Sequence, residues 1–155
     1  MELVADFRRI LLQHQCMFLD SAPMIYHLED IRPYSILTTE VFTALAKGGL
    51  ESVLSTVSIA ELLTKPFKEG RDDQIAVFEA FVLSLPQTRL TVPTYTIAKQ
   101  AARLRGQYGL RTPDALLFST AQAEGCDAFL TNDTRLKKLE VEGITVIVLS
   151  EFVNA

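Results

Sequence analysis

The sequence predicts an α/β fold in which helices cover a mainly parallel sheet of four to five strands. Short apolar runs that are typical of buried strands alternate with helical patterns along the chain. Two of these runs end in acidic or small polar residues: Cys16–Leu19 runs into Asp20, and Ala128–Leu130 runs into Thr131-Asn132-Asp133. Because open parallel sheets place their sites at the carboxyl ends of the strands, we expect the functional site there.

Composition limits the classes of protein to consider. A length of 155 residues and a hydrophobic fraction of 48% suit one well-packed domain, so we expect a single domain over residues 1–155, with residues 1–15 as an N-terminal helical extension. A net charge of −4 argues against a broad basic surface for nucleic acid. The absence of a membrane-length apolar run and of a secretory signal pattern predicts a cytoplasmic location. Two cysteines and two histidines without ligand spacing indicate neither a disulfide framework nor a zinc site.

In the first half of the chain, apolar spacing predicts helices and two strands. The helices are expected over Val4–Gln15, from Met24, and from a cap at Thr38 or Thr39 to Gly48-Gly49, and the strands over Cys16–Leu19 and Leu50–Val57. Ser58 is expected to cap the next helix. Glu61, three residues later, has capping-box spacing, so it either bonds back to Ser58 or points toward the same sheet edge as Asp20.

The second half continues the alternation. Ile75, Phe78, Val82 and Leu85 predict a helix, Leu90-Thr91-Val92 a strand, and Thr94 to Gly109 a capped helix, and a last strand is expected over Ile144–Leu149. Between them, Thr112 as N-cap, Pro113 and Asp114 mark the start of a buried helix that Gly125 ends. Arg103, Arg105 and Arg111 are the best candidates for contacting a phosphate backbone.

Four acids stand out by position, namely Asp20, Glu61, Asp114 and Asp133. Each has a local explanation, as a turn residue, a capping-box acid, a first-turn acid and an N-cap. If they converge, two carboxylates about 4 Å apart repel by roughly 4 kcal/mol at an effective dielectric near 20. Protonation or a hard divalent cation must offset that repulsion, and Mg²⁺ or Mn²⁺ takes such oxygen ligands. The matching chemistry is metal-assisted hydrolysis of a phosphodiester.

These residues resemble those of PIN-domain ribonucleases, and most closely the VapC-type toxins of toxin–antitoxin pairs. The matching blocks occur in the order of the family: Phe18-Leu19-Asp20-Ser21, Val57-Ser58-Ile59-Ala60-Glu61-Leu62, Thr112-Pro113-Asp114-Ala115 and Phe129-Leu130-Thr131-Asn132-Asp133. They spread over most of the chain. The last two blocks are the most specific part of the resemblance.

The resemblance implies a three-layer α/β/α fold and an endoribonuclease that depends on Mg²⁺ or Mn²⁺. It implies that the acidic metal site consists of Asp20, Glu61, Asp114 and Asp133, with Ser21, Thr131 and Asn132 orienting acids, water or phosphate. It also implies a homodimer that a cognate antitoxin holds inactive, often by inserting a basic residue into the acidic site.

Two alternatives remain open at this point. One is a PIN-fold binding module without catalysis, although such a module would be expected to lack Asp20 or Asp114. The other is a related nuclease that acts on DNA, which competition between RNA and DNA would distinguish. The N-terminal extension departs from the family pattern, since many members begin almost at the first strand.

Overall fold

The computed structural model describes residues 2–153, in which helices alternate with short strands. The helices are α1 (Glu2–Leu12), α2 (Ser21–Leu28), α3 (Tyr34–Ala46), α4 (Thr56–Lys68), α5 (Asp72–Ser84), α6 (Tyr95–Tyr108) and α7 (Thr112–Ala123). The strands are β1 (Cys16–Leu19), β2 (Glu51–Ser55), β3 (Thr88–Thr91), β4 (Ala128–Thr131) and β5 (Thr145–Val148), and 3-10 turns cover Thr134–Glu142 and Leu149–Phe152.

The five strands form one parallel sheet in the order β3-β2-β1-β4-β5, which confirms the predicted α/β class. The chain builds outward from β1 to β3, crosses back, and then builds outward through β4 to β5. The strand order therefore reverses between β1 and β4, where Leu19 pairs with Leu130. In open α/β sheets, the crevice at such a reversal is the usual place for a site.

Alternate residues of the central strands point into two separate apolar cores, one on each face of the sheet. Met17 and Leu19 belong to the core that includes residues of α1 to α5, whereas Phe18 and Phe129 belong to the core under α6 and α7. The rings of Phe18 and Phe129 stack with centroids 5.2 Å apart, and Phe118 of α7 lies 5.4 Å from Phe129. Helices on both faces confirm the three-layer α/β/α arrangement.

The predicted cap of α4 is wrong. Strand β2 ends at Ser55, whose Oγ accepts a hydrogen bond from the Val57 N–H at 3.1 Å, so Ser55 is the N-cap. Ser58 instead lies in the first turn of the helix, where its buried hydroxyl has no partner. The capping box between Ser58 and Glu61 therefore does not form. Glu61 instead points toward the same sheet edge as Asp20, which was the alternative prediction.

Other boundaries also differ from the prediction. Helix α3 begins at Tyr34, and the hydroxyls of Thr38 and Thr39 bond back to the Ser35 carbonyl instead of capping the helix. The N-cap of α7 is Arg111, not Thr112, and it makes no side-chain capping bond. Predicted bounds also shift for α1, which ends at Leu12, for β3, which starts at Thr88, and for β5, which spans Thr145–Val148.

The prediction for α6 is correct, since the Thr94 hydroxyl accepts from the Ile97 N–H and Gly109 ends the helix at φ 68°.

Among residues 2–153, no helix combines the length and the apolar character that crossing a membrane requires.

Candidate functional site

An open cleft of about 430 Å³ lies at the carboxyl ends of β1 and β4. It brings together all four of the acids selected from the sequence and the three polar residues expected around them: Asp20, Glu61, Asp114, Asp133, Ser21, Thr131 and Asn132. Tyr26, Arg111, Thr134 and Arg135 complete its polar lining. A volume in this range is typical of small-ligand and substrate sites.

Asp20 lines the cleft directly after β1 and is buried, with 9% of its surface exposed. As the N-cap of α2, it accepts the Ser21 N–H at Oδ1, at 2.8 Å. Its Oδ2 accepts the Thr131 hydroxyl at 2.7 Å. Burial raises the pKa of Asp20, the two hydrogen bonds oppose that rise, and the charges of Asp114 and Asp133 reinforce it. The two hydrogen bonds therefore hold the Asp20 carboxylate in one orientation, while burial and the neighbouring negative charges disfavour its ionised form.

Thr131, the last residue of β4, connects two of the acids. Its hydroxyl donates to Asp20 and accepts the N–H of Asp133 at 3.1 Å. Asp133 in turn caps the following 3-10 turn by accepting the Arg135 N–H, so the local explanation for this acid is also correct.

Asn132 is anchored away from the acids. Its amide donates to the Tyr26 hydroxyl at 3.0 Å, and its carbonyl oxygen accepts the Ser150 N–H at 2.8 Å. These two bonds tie the turn that carries Asp133 to α2 and to the 3-10 turn Leu149–Phe152.

Glu61 projects from α4 into the cleft, and its Oε1 is buried without a hydrogen-bond partner. Burial raises the pKa of Glu61, and the charges of Asp20 and Asp114 raise it further, while Arg111 and the Ser21 hydroxyl oppose them. A buried acceptor without a donor costs free energy unless something binds it.

Two arginines contact the remaining two acids, Asp114 and Asp133. Arg111 Nε lies 3.2 Å from Asp114 Oδ2, and Asp114 itself is 8% exposed. Arg135 donates from Nε to Asp133 Oδ1 at 3.0 Å and from Nη2 to Asp133 Oδ2 at 2.7 Å, and these bonds hold the pKa of Asp133 below its ordinary value.

The donors of the cleft are of the kind that a hard divalent cation takes as ligands. The cleft offers carboxylate oxygens, one of them buried and unpartnered, and it raises the pKa of two acids through burial and mutual repulsion. Within residues 2–153, no three acidic, histidine or cysteine side chains are grouped closely enough to form a ready-made metal site. Of the four acids, Asp114 and Asp133 are the two engaged by arginines.

The structure separates the three arginines predicted to contact phosphate. Arg111 lines the cleft, whereas Arg103 bonds to Glu142 and Arg105 bonds to the Leu110 carbonyl, both outside its lining. Sequence reasoning missed Tyr26 and Arg135. Arg135 follows Asp133 by two residues in the same polar turn, and that closeness was the available signal.

We expect Glu61→Gln to stabilise the fold near neutral pH by about 1 kcal/mol, since relieving unfavourable charge commonly yields about 0.5–2 kcal/mol. The raised folded-state pKa means that the Glu61 carboxyl stabilises the fold when protonated, and that this stabilisation is lost as pH rises from the unfolded-state pKa through the folded-state pKa. The gain from glutamine should therefore be larger at about pH 7 than at about pH 4. Urea denaturation of metal-free protein at both pH values measures it.

Glu69→Gln is the matched control, since Glu69 is exposed at the far end of α4. A loss of stability in Glu61→Gln at neutral pH, or an equal gain in both variants, would contradict the electrostatic argument.

Comparison with known proteins gives a family match and several similar structures. The family model described as PIN domain matches residues 17–142. No curated protein sequence matches significantly.

The structure of VapBC2 from Rickettsia felis bound to a DNA fragment from its promoter is 21% identical, with a TM-score of 0.68, and the match covers 86% of this chain and 98% of that one. A toxin–antitoxin complex from Klebsiella pneumoniae is 19% identical, with a TM-score of 0.61 and coverages of 86% and 97%. VapC20 of Mycobacterium tuberculosis, described as a toxin that cleaves the sarcin-ricin loop, is 15% identical, with a TM-score of 0.59 and coverages of 73% and 86%. At these identities the likeness establishes the fold alone.

Proposed function

Because this chain belongs to the PIN domain family, we propose that it is an endoribonuclease that hydrolyses RNA phosphodiester bonds with Mg²⁺ or Mn²⁺ and acts as the toxin of a toxin–antitoxin pair. One observation carries the proposal: four carboxylates from four separate parts of the chain line one open cleft, and one of their oxygens is buried without a partner. The four blocks that resemble VapC-type toxins supply these same acids.

We propose that Asp20, Glu61, Asp114 and Asp133 hold the divalent cation. When bound, such an ion lowers the pKa of a coordinated water and stabilises charge on the phosphate oxygens. The raised pKa of Asp20 and Glu61 supports this assignment, because a cation would relieve the repulsion that burial intensifies.

The remaining residues orient the acids. The Thr131 hydroxyl and the Ser21 N–H each hold one oxygen of Asp20, so this side chain keeps a single orientation toward the cleft. Asn132 fixes the turn behind Asp133 through Tyr26 and Ser150.

We also propose a cognate antitoxin and a homodimer. The similar structure from K. pneumoniae is described as a toxin–antitoxin complex, which supports the first of these partners. The acidic cleft suits an antitoxin that inserts a basic side chain.

We expect purified protein to cleave a mixed RNA pool in the presence of Mg²⁺ or Mn²⁺ and to stop when a chelator is added, because the clustered acids need the cation's charge. Gel analysis of end-labelled RNA, with single-stranded DNA of the same sequences as competitor, measures both metal dependence and substrate class. Cleavage that survives chelation would contradict the role of the acids. Preferential cleavage of the DNA would replace RNA as the substrate, and no cleavage by folded, partner-free protein would favour the binding module.

A further inference from the structure

Two arginines stand at the mouth of the acidic cleft, and both are mostly exposed. The side chain of Arg111 is 65% exposed and that of Arg135 is 70% exposed, although each contacts a cleft carboxylate. Arg111 comes from the N-cap of α7, and Arg135 from the turn after β4. Each arginine also interacts electrostatically with a residue other than its ion-pair partner. Arg111 interacts with Glu61 and with Arg135, and Arg135 interacts with Asp114.

The two arginines and a divalent cation can neutralise the same carboxylates in turn. The residues of the cleft lining that carry a formal charge near neutral pH are four acids and two arginines, so the arginines cancel half of the negative charge. A divalent cation at the acids would supply the same neutralisation. Because Asp114 is buried, Arg111 can leave it at low cost only when the cation has taken over this neutralisation.

Resting on the proposed function, we propose that Arg111 and Arg135 are phosphate-binding residues that exchange their carboxylate partners for RNA phosphates when a divalent cation occupies the acids. A guanidinium makes the same paired hydrogen bonds to phosphate as to carboxylate, and Arg135 already shows that geometry on Asp133. Cation and RNA binding then strengthen each other, because each removes the other's competitor.

The exchange explains how an acidic cleft in a chain of net charge −4 can hold a polyanion. Without a cation, the arginines are engaged by Asp114 and Asp133 and the remaining acids repel RNA. With a cation, the same two arginines are released to bind phosphate beside the ion.

The test measures binding, with Arg111→Gln/Arg135→Gln compared with wild type. The matched control is Arg71→Gln, because Arg71 makes the same two-nitrogen contact with Asp73 at the N-terminus of α5, outside the cleft. Calorimetry with Mn²⁺ gives cation affinity. Anisotropy of a labelled mixed-sequence RNA, in chelator and in Ca²⁺ over a range of salt, gives RNA affinity, and a gel confirms that the RNA stays intact.

In wild type, we expect Ca²⁺ to raise RNA affinity by at least about fivefold, the lower end of the usual range for coupled sites. The double variant should lose that gain, and its slope of log affinity against log salt should fall by about 1.4, since each phosphate contact to a single strand contributes about 0.7. Its Mn²⁺ affinity should rise by about fivefold or more, because the competing arginines are gone. Arg71→Gln should match wild type, and lysine at both positions should keep the salt slope.

Opposite changes in cation and RNA affinity distinguish exchange from a purely structural role. A double variant that binds RNA with wild-type affinity and salt slope would overturn the proposal while leaving the nuclease intact. Weaker RNA binding with unchanged Mn²⁺ affinity would overturn the exchange. If wild type neither binds nor cleaves RNA, the proposed function itself fails, and the inference with it.

Discussion

We expect Asp114→Asn to lower RNA cleavage by more than about 100-fold, since even residues that only support metal ligands cost about 10- to 100-fold when they are changed. Asparagine keeps the shape of the side chain and removes its charge. Asp114 is 8% exposed and lies in the same cleft as Asp20 and Glu61, so its charge acts on both of them. Initial cleavage rates of a defined RNA at saturating Mn²⁺ measure the effect.

The matched control is Asp73→Asn, which removes an exposed carboxylate that also pairs with an arginine. The control should cleave at the wild-type rate, and both variants should unfold near the wild-type temperature. Near-normal cleavage by a folded Asp114→Asn protein would exclude this acid from the metal site.

We expect Phe129→Ala to lower the free energy of unfolding by about 3–5 kcal/mol, the usual loss for a fully buried phenylalanine. Phe129 is 0% exposed on β4, between Phe18 at 5.2 Å and Phe118 at 5.4 Å. Neighbours on a strand and a helix cannot both move in to fill the space, so a cavity remains. Urea denaturation measures this loss, and the dependence of the free energy of unfolding on urea concentration should stay unchanged.

Phe67→Ala is the control, since Phe67 is 64% exposed on α4. It should change stability by less than about 0.5 kcal/mol, as surface substitutions usually do. Equal losses in the two variants would contradict the placement of the core against α6 and α7.

The strands and the acids were predictable because each has a local signal. An apolar run buried on both faces reads as a strand of a parallel sheet, and an acid directly after it marks the carboxyl edge. Asp20 and Asp133 were found in this way. Their convergence with Glu61 and Asp114 then follows from the strand order, which places β1 beside β4.

The helix caps and the ion pair between Arg135 and Asp133 were harder to predict. Ser55 and Ser58 have the same capping chemistry, and only the end of the pairing between β2 and β3 decides between them. Pairing of Arg135 with Asp133 depends on the tight turn at Thr134, which no helical or strand spacing predicts. Tyr26 reaches the cleft only because α2 packs beside β4.

The adjacency of β1 and β4 has a consequence for how the protein is made. Thr131, which holds Asp20, is 111 residues further along the chain. At synthesis rates of about 5–20 residues per second, a ribosome needs roughly 5 to 20 s to travel from one to the other. During that interval the growing polypeptide carries Asp20 and Glu61 but has no cleft to place them in. The cleft can therefore form only after Thr131 has been synthesised and β4 has paired with β1.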